Sequence, residues 1–292
     1  FFFSAVLDNL TTAIVMAALL PKLIKDKETL WLFAGVLIMA ANAGGAWSPI
    51  GDVTTIMLWI GGQVTASNII TSVFLPSVVC ALVPLIYLSF KLKGEIDRPE
   101  NMDLKEHKTN PTTKFERNLI FYMGVCGLLF VPIFKTITHL PPYVGILLSL
   151  GVLWITTEII HRSKNHEQKS VLSVIGVLKK IDVPTIFFFL GILLAVGALE
   201  SLGILFNFAG YLTEIFPNTD VLMILFGFLS AIIDNVPLVA ASMGMFPNLI
   251  DDPLWHALAF SAGTGGSMLI IGSAAGVVAM GMEKIDFFWY LK

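Results

Sequence analysis

Two similar polar sequences interrupt long apolar segments near opposite ends of the chain. Residues 4–9 read Ser-Ala-Val-Leu-Asp-Asn, and residues 230–235 read Ser-Ala-Ile-Ile-Asp-Asn. A glycine-rich block follows each of them. Residues 41–52 align without gaps on residues 262–273, and both the double glycine and a later glycine are preserved. This pattern indicates an internal duplication in which carboxylates and amides lie at membrane depth beside broken helices, as in the ion sites of secondary transporters.

The apolar segments are long enough to cross a bilayer as helices. Hydrophobic residues make up 56% of the chain and charged residues 13%, against about 25% charged in ordinary soluble domains. About twenty apolar residues span the hydrocarbon core as a helix, so the chain is predicted to be an all-α integral membrane protein. The apolar segments are 1–21, 29–61, 69–90, 118–138, 142–160, 184–207, 220–246 and 253–282.

Lysine and arginine placement predicts the topology. Of the 18 basic residues, three lie in 22–27, seven in 91–117 and five in 162–180, whereas 61–68, 208–219 and 247–252 have none. The basic loops are therefore predicted to be cytoplasmic. A single crossing by 220–246 would put the loop 247–252, which has no positive charge, in the cytoplasm. A re-entrant hairpin entering from outside removes this conflict, and its two arms are too short to span.

The same reasoning predicts inverted-topology repeats with re-entrant hairpins and discontinuous transmembrane helices. The first repeat covers residues 1–90, with the end of a cytoplasmic hairpin, a broken helix and a following helix. A cytoplasmic linker at 91–117 leads to scaffold helices and a cytoplasmic loop at 118–183. The second repeat covers 184–292, with a helix, an outer hairpin and a second broken helix. Because the chain begins with Phe1, we expect further residues upstream, and its end resembles the start of another membrane segment.

Hard oxygen ligands are concentrated in these repeats. A glycine-rich break in a helix exposes carbonyl groups and helix ends that can replace the hydration shell of a small cation. Such ligands suit Na⁺ or Li⁺, and no Cys or His cluster has the spacing of a zinc site. The predicted cation and proton ligands are Ser4, Asp8, Asn9, Thr11, Thr12, Asn42, Asp52, Thr54, Thr55, Ser230, Asp234, Asn235, Thr264 and Ser267, with Ser48 and Ser273 as further oxygens.

Among these, the carboxylates carry the strongest functional signal. A charged side chain at a helix centre costs roughly 2.5–3.5 kcal/mol on insertion scales, so packing alone does not account for Asp8, Asp52 and Asp234. We expect the metal, Na⁺ or Li⁺, at Asp8, Asn9, Asn42 and Asp52, with Asp8 and Asp52 acting as one coupled site. Glu200 is a further acid in an apolar segment, either on a proton route or in a structural role.

The strings Leu7-Asp8-Asn9-Leu10-Thr11-Thr12, residues 41–55 and Ile233-Asp234-Asn235-Val236-Pro237 resemble those of NhaD-type sodium/proton antiporters in the ion transporter superfamily. This resemblance implies cation sites near two hairpin tips and a homodimer in which a transport domain moves past a fixed scaffold. It also implies further helices before and after this segment. Pro237 and Ser273 stand where the first repeat has Thr11 and Asp52, which weighs against a second complete site.

The leading hypothesis is exchange of Na⁺ or Li⁺ for protons by alternating access. A pH-gradient assay of the full-length protein in liposomes would test it. A sodium-coupled symporter for an anion such as a dicarboxylate is the first alternative, and an ion channel is the second. An enzyme is not expected, because no Ser/His/Asp set is present. Beyond the transported ions no cofactor is expected. The chain is expected to lie in a bacterial inner membrane, in contact with lipid. Nucleic acid is not expected as a partner, because the sequence has no basic patch with interleaved aromatic residues.

Overall fold

A computed structural model describes residues 1–92, 112–165, 168–169, 172–179, 181 and 183–291. All regular secondary structure among the described residues is helical, and these residues include no strand. The chain divides into two compact units, one formed by residues 1–102 with 189–292 and the other by residues 103–188. The first unit contains both polar blocks and both glycine-rich blocks.

The N-terminal half of the first unit contains six helices of unequal length among its described residues. Their breaks fall at the polar positions, because Asp8 caps the second helix and Asp52 caps the fifth. The helices are α1 (Ser4–Leu7), α2 (Asn9–Ala17), α3 (Leu20–Leu23), α4 (Lys27–Ala46), α5 (Val53–Ile60) and α6 (Ala66–Lys91). The glycine-rich block therefore ends α4 and forms the non-helical connection to α5.

The second unit contains α7 (Lys114–Thr138), α8 (Pro142–Ile160) and the short α9 (Val174–Leu178). A capping box between Thr113 and Glu116 begins α7, and Lys164 forms a 2.6 Å ion pair with Glu116. The two long helices bury little of their apolar surface inside this unit. Their exposed faces are those expected of helices surrounded by lipid or by further protein.

Helices of the C-terminal part are α10 (Val183–Ser201), α11 (Ile204–Ile215), α12 (Thr219–Ser230), α13 (Asn235–Met245), α14 (Pro253–Gly265), α15 (Ala274–Glu283) and α16 (Phe287–Tyr290). Here one prediction is wrong. The sequence pattern predicts a connection at 208–219, but residues 204–215 form α11, which bends 76° away from α10. Gly203 occupies the bend with φ of +70°, a conformation that glycine adopts without steric cost.

By length and composition, four described helices can cross a membrane, or five if the bent pair α10 and α11 counts as one span. These four are α4, α6, α7 and α8, with the apolar stretch of α6 ending at Phe90. Helices α12, α13 and α15 are apolar but shorter. The observed architecture is thus that of an all-helical, multi-pass integral membrane protein.

The two broken segments α4–α5 and α14–α15 run in opposite directions within the first unit. At one end, Trp31 Nε1 of α4 donates a 3.0 Å hydrogen bond to the carbonyl oxygen of Glu283 in α15. At the other end, the Asp251 carboxylate accepts hydrogen bonds from Thr65 N (2.7 Å) and Thr65 Oγ1 (2.9 Å). The loops following α5 and preceding α14 therefore lie together on one face of the unit.

Candidate cation site

The polar centre of the first unit is built around Asp52. Its carboxylate is 1% exposed and caps α5 through a 2.9 Å hydrogen bond from Thr54 N, while Thr54 Oγ1 donates to the same oxygen at 2.8 Å. Asn9 Nδ2 donates to the other oxygen at 2.6 Å, and Asn235 Nδ2 lies 3.4 Å from it. Among the described residues, no lysine, arginine or histidine forms an ion pair with Asp52.

Asn42 connects this centre to the second broken segment. Its side chain is completely buried, and its Oδ1 accepts a 3.1 Å hydrogen bond from Asn9. Its Nδ2 donates to Ser267 Oγ and to Ser273 Oγ, both at 2.9 Å. Residues from α2, α4 and the break between α14 and α15 therefore form one continuous hydrogen-bonded cluster.

The cluster contains Asn9, Asn42, Asp52, Thr54, Asn235 and Ser267 from the predicted set, together with Ser273. The Asp8 carboxylate instead accepts hydrogen bonds from Thr11 N at 2.8 Å and Thr11 Oγ1 at 2.9 Å, at the start of α2. Asp234 similarly caps α13 by accepting from Val236 N at 3.0 Å. In the described geometry, the asparagine after each aspartate reaches Asp52.

The remaining predicted ligands bond mainly to helix backbone. Thr55 Oγ1 donates to the Gly45 carbonyl at 3.3 Å and Thr264 Oγ1 to that of Phe260 at 2.6 Å. The buried Thr12 hydroxyl has no hydrogen-bond partner among the described residues. Glu200 is exposed near the end of α10. It lies beside Gly244, where an added Cβ would be 3.3 Å from its Cδ.

Residues that align between the two halves make equivalent contacts. Ser4 Oγ donates to the Ala41 carbonyl at 2.5 Å, and Ser230 Oγ donates to the Ala262 carbonyl at 2.7 Å. Asp52 caps the helix after the first glycine-rich block, and its aligned Ser273 caps the helix after the second.

The two halves differ at the polar centre itself. Asn42 and Asp52 align with Gly263 and Ser273, so the second half has neither the amide nor the carboxylate. A Cβ added to Gly263 would lie 4.0 Å from Asp52 Oδ2, and this glycine therefore borders the carboxylate of the first half. The cluster is one asymmetric site with a single buried carboxylate at its centre.

Sequence reasoning missed Tyr290, which contacts the break between α14 and α15. Its hydroxyl donates a 2.7 Å hydrogen bond to the carbonyl oxygen of Ser267. The aromatic sequence Phe-Phe-Trp-Tyr at residues 287–290 resembles an interfacial anchor, so no sequence signal distinguishes this tyrosine. Only the tertiary contact identifies it.

The apolar helices and this buried polar cluster define an integral membrane protein with several spans. A family model described as "Citrate transporter" matches residues 1–261. The whole chain is 52% identical to sodium/proton antiporter 1 and 48% identical to sodium/proton antiporter 2, both of Arabidopsis thaliana. It is also 32% identical along its full length to the Na⁺/H⁺ antiporter NhaD of Alkalimonas amylolytica.

The chain belongs to the family of membrane transporters defined by that model, together with these antiporters. The resemblance to NhaD-type antiporters is thereby confirmed, and the family that the chain belongs to is one of transporters rather than of enzymes. It spans 50%, 70% and 63% of the lengths of these three relatives, in the order given.

Proposed function

We propose that the protein containing this chain exchanges Na⁺ or Li⁺ for H⁺ across a membrane by alternating access. The observation that carries this proposal is the buried Asp52 carboxylate surrounded by uncharged hydrogen-bond donors. A buried ionised group without a cationic partner is strongly unfavourable. Asp52 therefore takes up either a proton or a small cation, and the two compete for one position.

Competition of this kind couples two opposing fluxes. The protonated and the cation-loaded carboxylates are both electrically neutralised, so either form moves through a low-dielectric region more easily than the bare anion. The empty, charged site crosses poorly. Each inward proton is thereby linked to an outward cation.

The surrounding groups have the chemistry needed to hold a small alkali cation. Amide and hydroxyl oxygens are hard ligands, and Asn9, Asn42, Thr54 and Ser267 carry such oxygens around or adjacent to the carboxylate. Rotation of the side-chain amide of Asn9 or Asn42 would turn its oxygen, in place of its N–H groups, toward a bound cation. The other predicted ligands, including Asp8 and Asp234, remain part of the proposal as groups at the two helix breaks.

The names of the relatives favour exchange over anion symport. The three relatives named above are called sodium/proton antiporters, whereas the description of the family model names a citrate transporter. A citrate or dicarboxylate site calls for arginine or free backbone amides. The three arginines of the chain, at 98, 117 and 162, all lie outside the polar and glycine-rich blocks.

Reconstitution of the full-length protein in liposomes tests the proposal. Addition of NaCl or LiCl should collapse an imposed pH gradient, with a rate that saturates, while KCl serves as the comparison ion. Uptake of labelled citrate driven by a sodium gradient, without collapse of the pH gradient, would instead establish the symporter. A conductance that does not saturate would establish a channel.

We further propose that the two halves form an inverted repeat, with α12 and α13 as the arms of a re-entrant hairpin. The arms have 12 and 11 residues, which is too short for a span. The antiparallel broken segments and the equivalent serine contacts support this arrangement. The boundaries at residues 90, 117 and 183, the homodimer and the Glu200 proton route remain predictions.

The proposed exchange also limits the kind of membrane in which the protein can work. Exchange against protons requires a membrane that carries a proton gradient. A bacterial inner membrane was expected from the sequence, and relatives come from bacteria and from Arabidopsis. Fractionation of the source cells distinguishes these locations.

Cysteine labelling should place Ser67 and Asn248 on the same, outer side of the membrane. Their loops lack lysine and arginine, and they are joined by the hydrogen bonds between Asp251 and Thr65. Single-cysteine variants at the two positions should react with an impermeant maleimide from outside intact cells, and a cysteine at Lys25 should react only after permeabilisation. Opposite accessibility of Ser67 and Asn248 would contradict the re-entrant hairpin.

Apparent sodium affinity should weaken as the pH falls. If one proton competes with one cation for Asp52, the half-maximal Na⁺ concentration should approach a rise of about tenfold per pH unit on the acidic side. The measurement is the sodium dependence of exchange at several pH values, with the pH equal on both sides at the start. A pH-independent half-maximal concentration would rule out a shared site.

A further inference from the structure

The carbonyl oxygen of Ser267 is held by a side chain from a separate helix. Tyr290 in α16 donates its hydroxyl to this oxygen at 2.7 Å. Residues 266–273 connect α14 to α15 without regular helix, so their backbone groups lack the usual intrahelical partners. The phenol therefore supplies a fixed partner to a carbonyl group in the irregular part of the site.

The same residue, Ser267, also belongs to the polar cluster. Ser267 Oγ accepts a hydrogen bond from Asn42 Nδ2 at 2.9 Å, and Asn42 in turn accepts from Asn9. Asn9 donates directly to the Asp52 carboxylate. A continuous series of hydrogen bonds thus leads from the Tyr290 hydroxyl, through the backbone and side chain of Ser267, to the ion-binding carboxylate.

Packing holds the tyrosine in place. Asp286 caps α16 through Trp289 N, and the Trp289 ring contacts Trp31 of α4 with 5.1 Å between centroids. The Tyr290 ring lies against Gly35, where an added Cβ would be 3.6 Å from Cε2. Gly35 and Asn42 are seven residues apart and so share a face of α4. Tyr290 therefore contacts both α4 and the break between α14 and α15, which are the two elements that the Asn42–Ser267 hydrogen bond connects.

We infer that Tyr290 is a positioning residue for the cation site, which sets the backbone at Ser267 so that its hydroxyl meets Asn42. This inference rests on the proposed function and adds to it a residue outside both duplicated blocks. Tyr290 does not contact Asp52 in this geometry. It acts through Ser267, and its loss should alter cation affinity more than the maximal rate.

The test uses Tyr290→Phe in the full-length protein, which removes the hydroxyl and keeps the ring. A single hydrogen bond corresponds to roughly two- to tenfold in an equilibrium constant, so the half-maximal NaCl concentration should rise by about that factor. Two readouts are measured: exchange in liposomes, and the rise of unfolding temperature with NaCl against choline chloride. Tyr211→Phe, at an exposed tyrosine of α11, is the matched control and should leave both unchanged.

A double-mutant cycle with Ser267→Ala separates positioning from simple anchoring. Ser267→Ala removes the hydroxyl and keeps the carbonyl, so the effect of Tyr290→Phe on sodium affinity should largely disappear in that background. The unfolding temperature without sodium reports any general loss of stability. An effect of equal size in both backgrounds, or unchanged sodium dependence in Tyr290→Phe, would overturn the inference.

Failure of the proposed function gives a different result. If the wild-type protein is stabilised by neither NaCl nor LiCl and does not exchange them, the cation site is wrong, and the inference falls with it. If the wild type responds to sodium and Tyr290→Phe responds identically, only the role of Tyr290 is rejected.

Discussion

Replacing Asp52 by Asn is expected to reduce sodium/proton exchange to background while the protein still folds. Asparagine has nearly the same size, keeps an oxygen and caps helices as well as aspartate does, so α5 should still begin at Val53. The substitution removes the one group at the centre of the cluster that can bind either a proton or a cation. Exchange measured in liposomes, normalised to the amount of reconstituted protein, provides the test.

Asp26→Asn is the matched control for this substitution. Asp26 also caps a helix, because its carboxylate accepts a 2.8 Å hydrogen bond from Thr29 N at the start of α4. Unlike Asp52, it is exposed, so the loss of its charge should have little effect on exchange. Normal exchange by correctly folded Asp52→Asn protein would show that Asp52 is not the coupling carboxylate.

Alanine at Gly45 or Gly266 is expected to disrupt both halves of the first unit in the same way. A Cβ on Gly266 would lie 2.6 Å from the Gly272 carbonyl oxygen, and a Cβ on Gly45 would collide with the aligned carbonyl of Gly51. Overpacking of this kind typically costs about 1–3 kcal/mol, and relief of the clash would displace the neighbouring caps, Asp52 and Ser273. We expect lower unfolding temperatures and loss of exchange in both variants.

Gly281→Ala controls for the glycine substitutions within the same broken segment. Gly281 lies in α15, and a Cβ there would meet no atom within 4 Å, so alanine should be tolerated. The unfolding temperature in detergent and the yield of folded protein measure the difference. Equal behaviour of Gly266→Ala and Gly281→Ala would show that the close approach of the two backbone segments is unimportant for stability.

Much of the helical architecture follows from local sequence. Apolar runs of membrane length predict α4, α6, α7 and α8, and the two glycine-rich blocks predict the breaks that precede α5 and α15. The prediction is wrong at α11, because residues 208–219 lack lysine and arginine and so resemble a connecting loop, whereas residues 204–215 form a helix. The absence of positive charge does not distinguish an outer loop from an apolar helix, and Gly203 allows the sharp bend between α10 and α11.

The sequence by itself determined that this is an all-helical membrane protein with duplicated polar blocks, since hydropathy, charge and glycine spacing are local properties. Only the tertiary structure decided which side chains meet. Asn9, rather than Asp8, reaches Asp52 because Asp8 is occupied at the start of α2. Asn42 joins Ser267 and Ser273, and Tyr290 reaches Ser267, across separations of 23 to 231 residues. Such contacts depend on how broken helices pack, which no local pattern encodes.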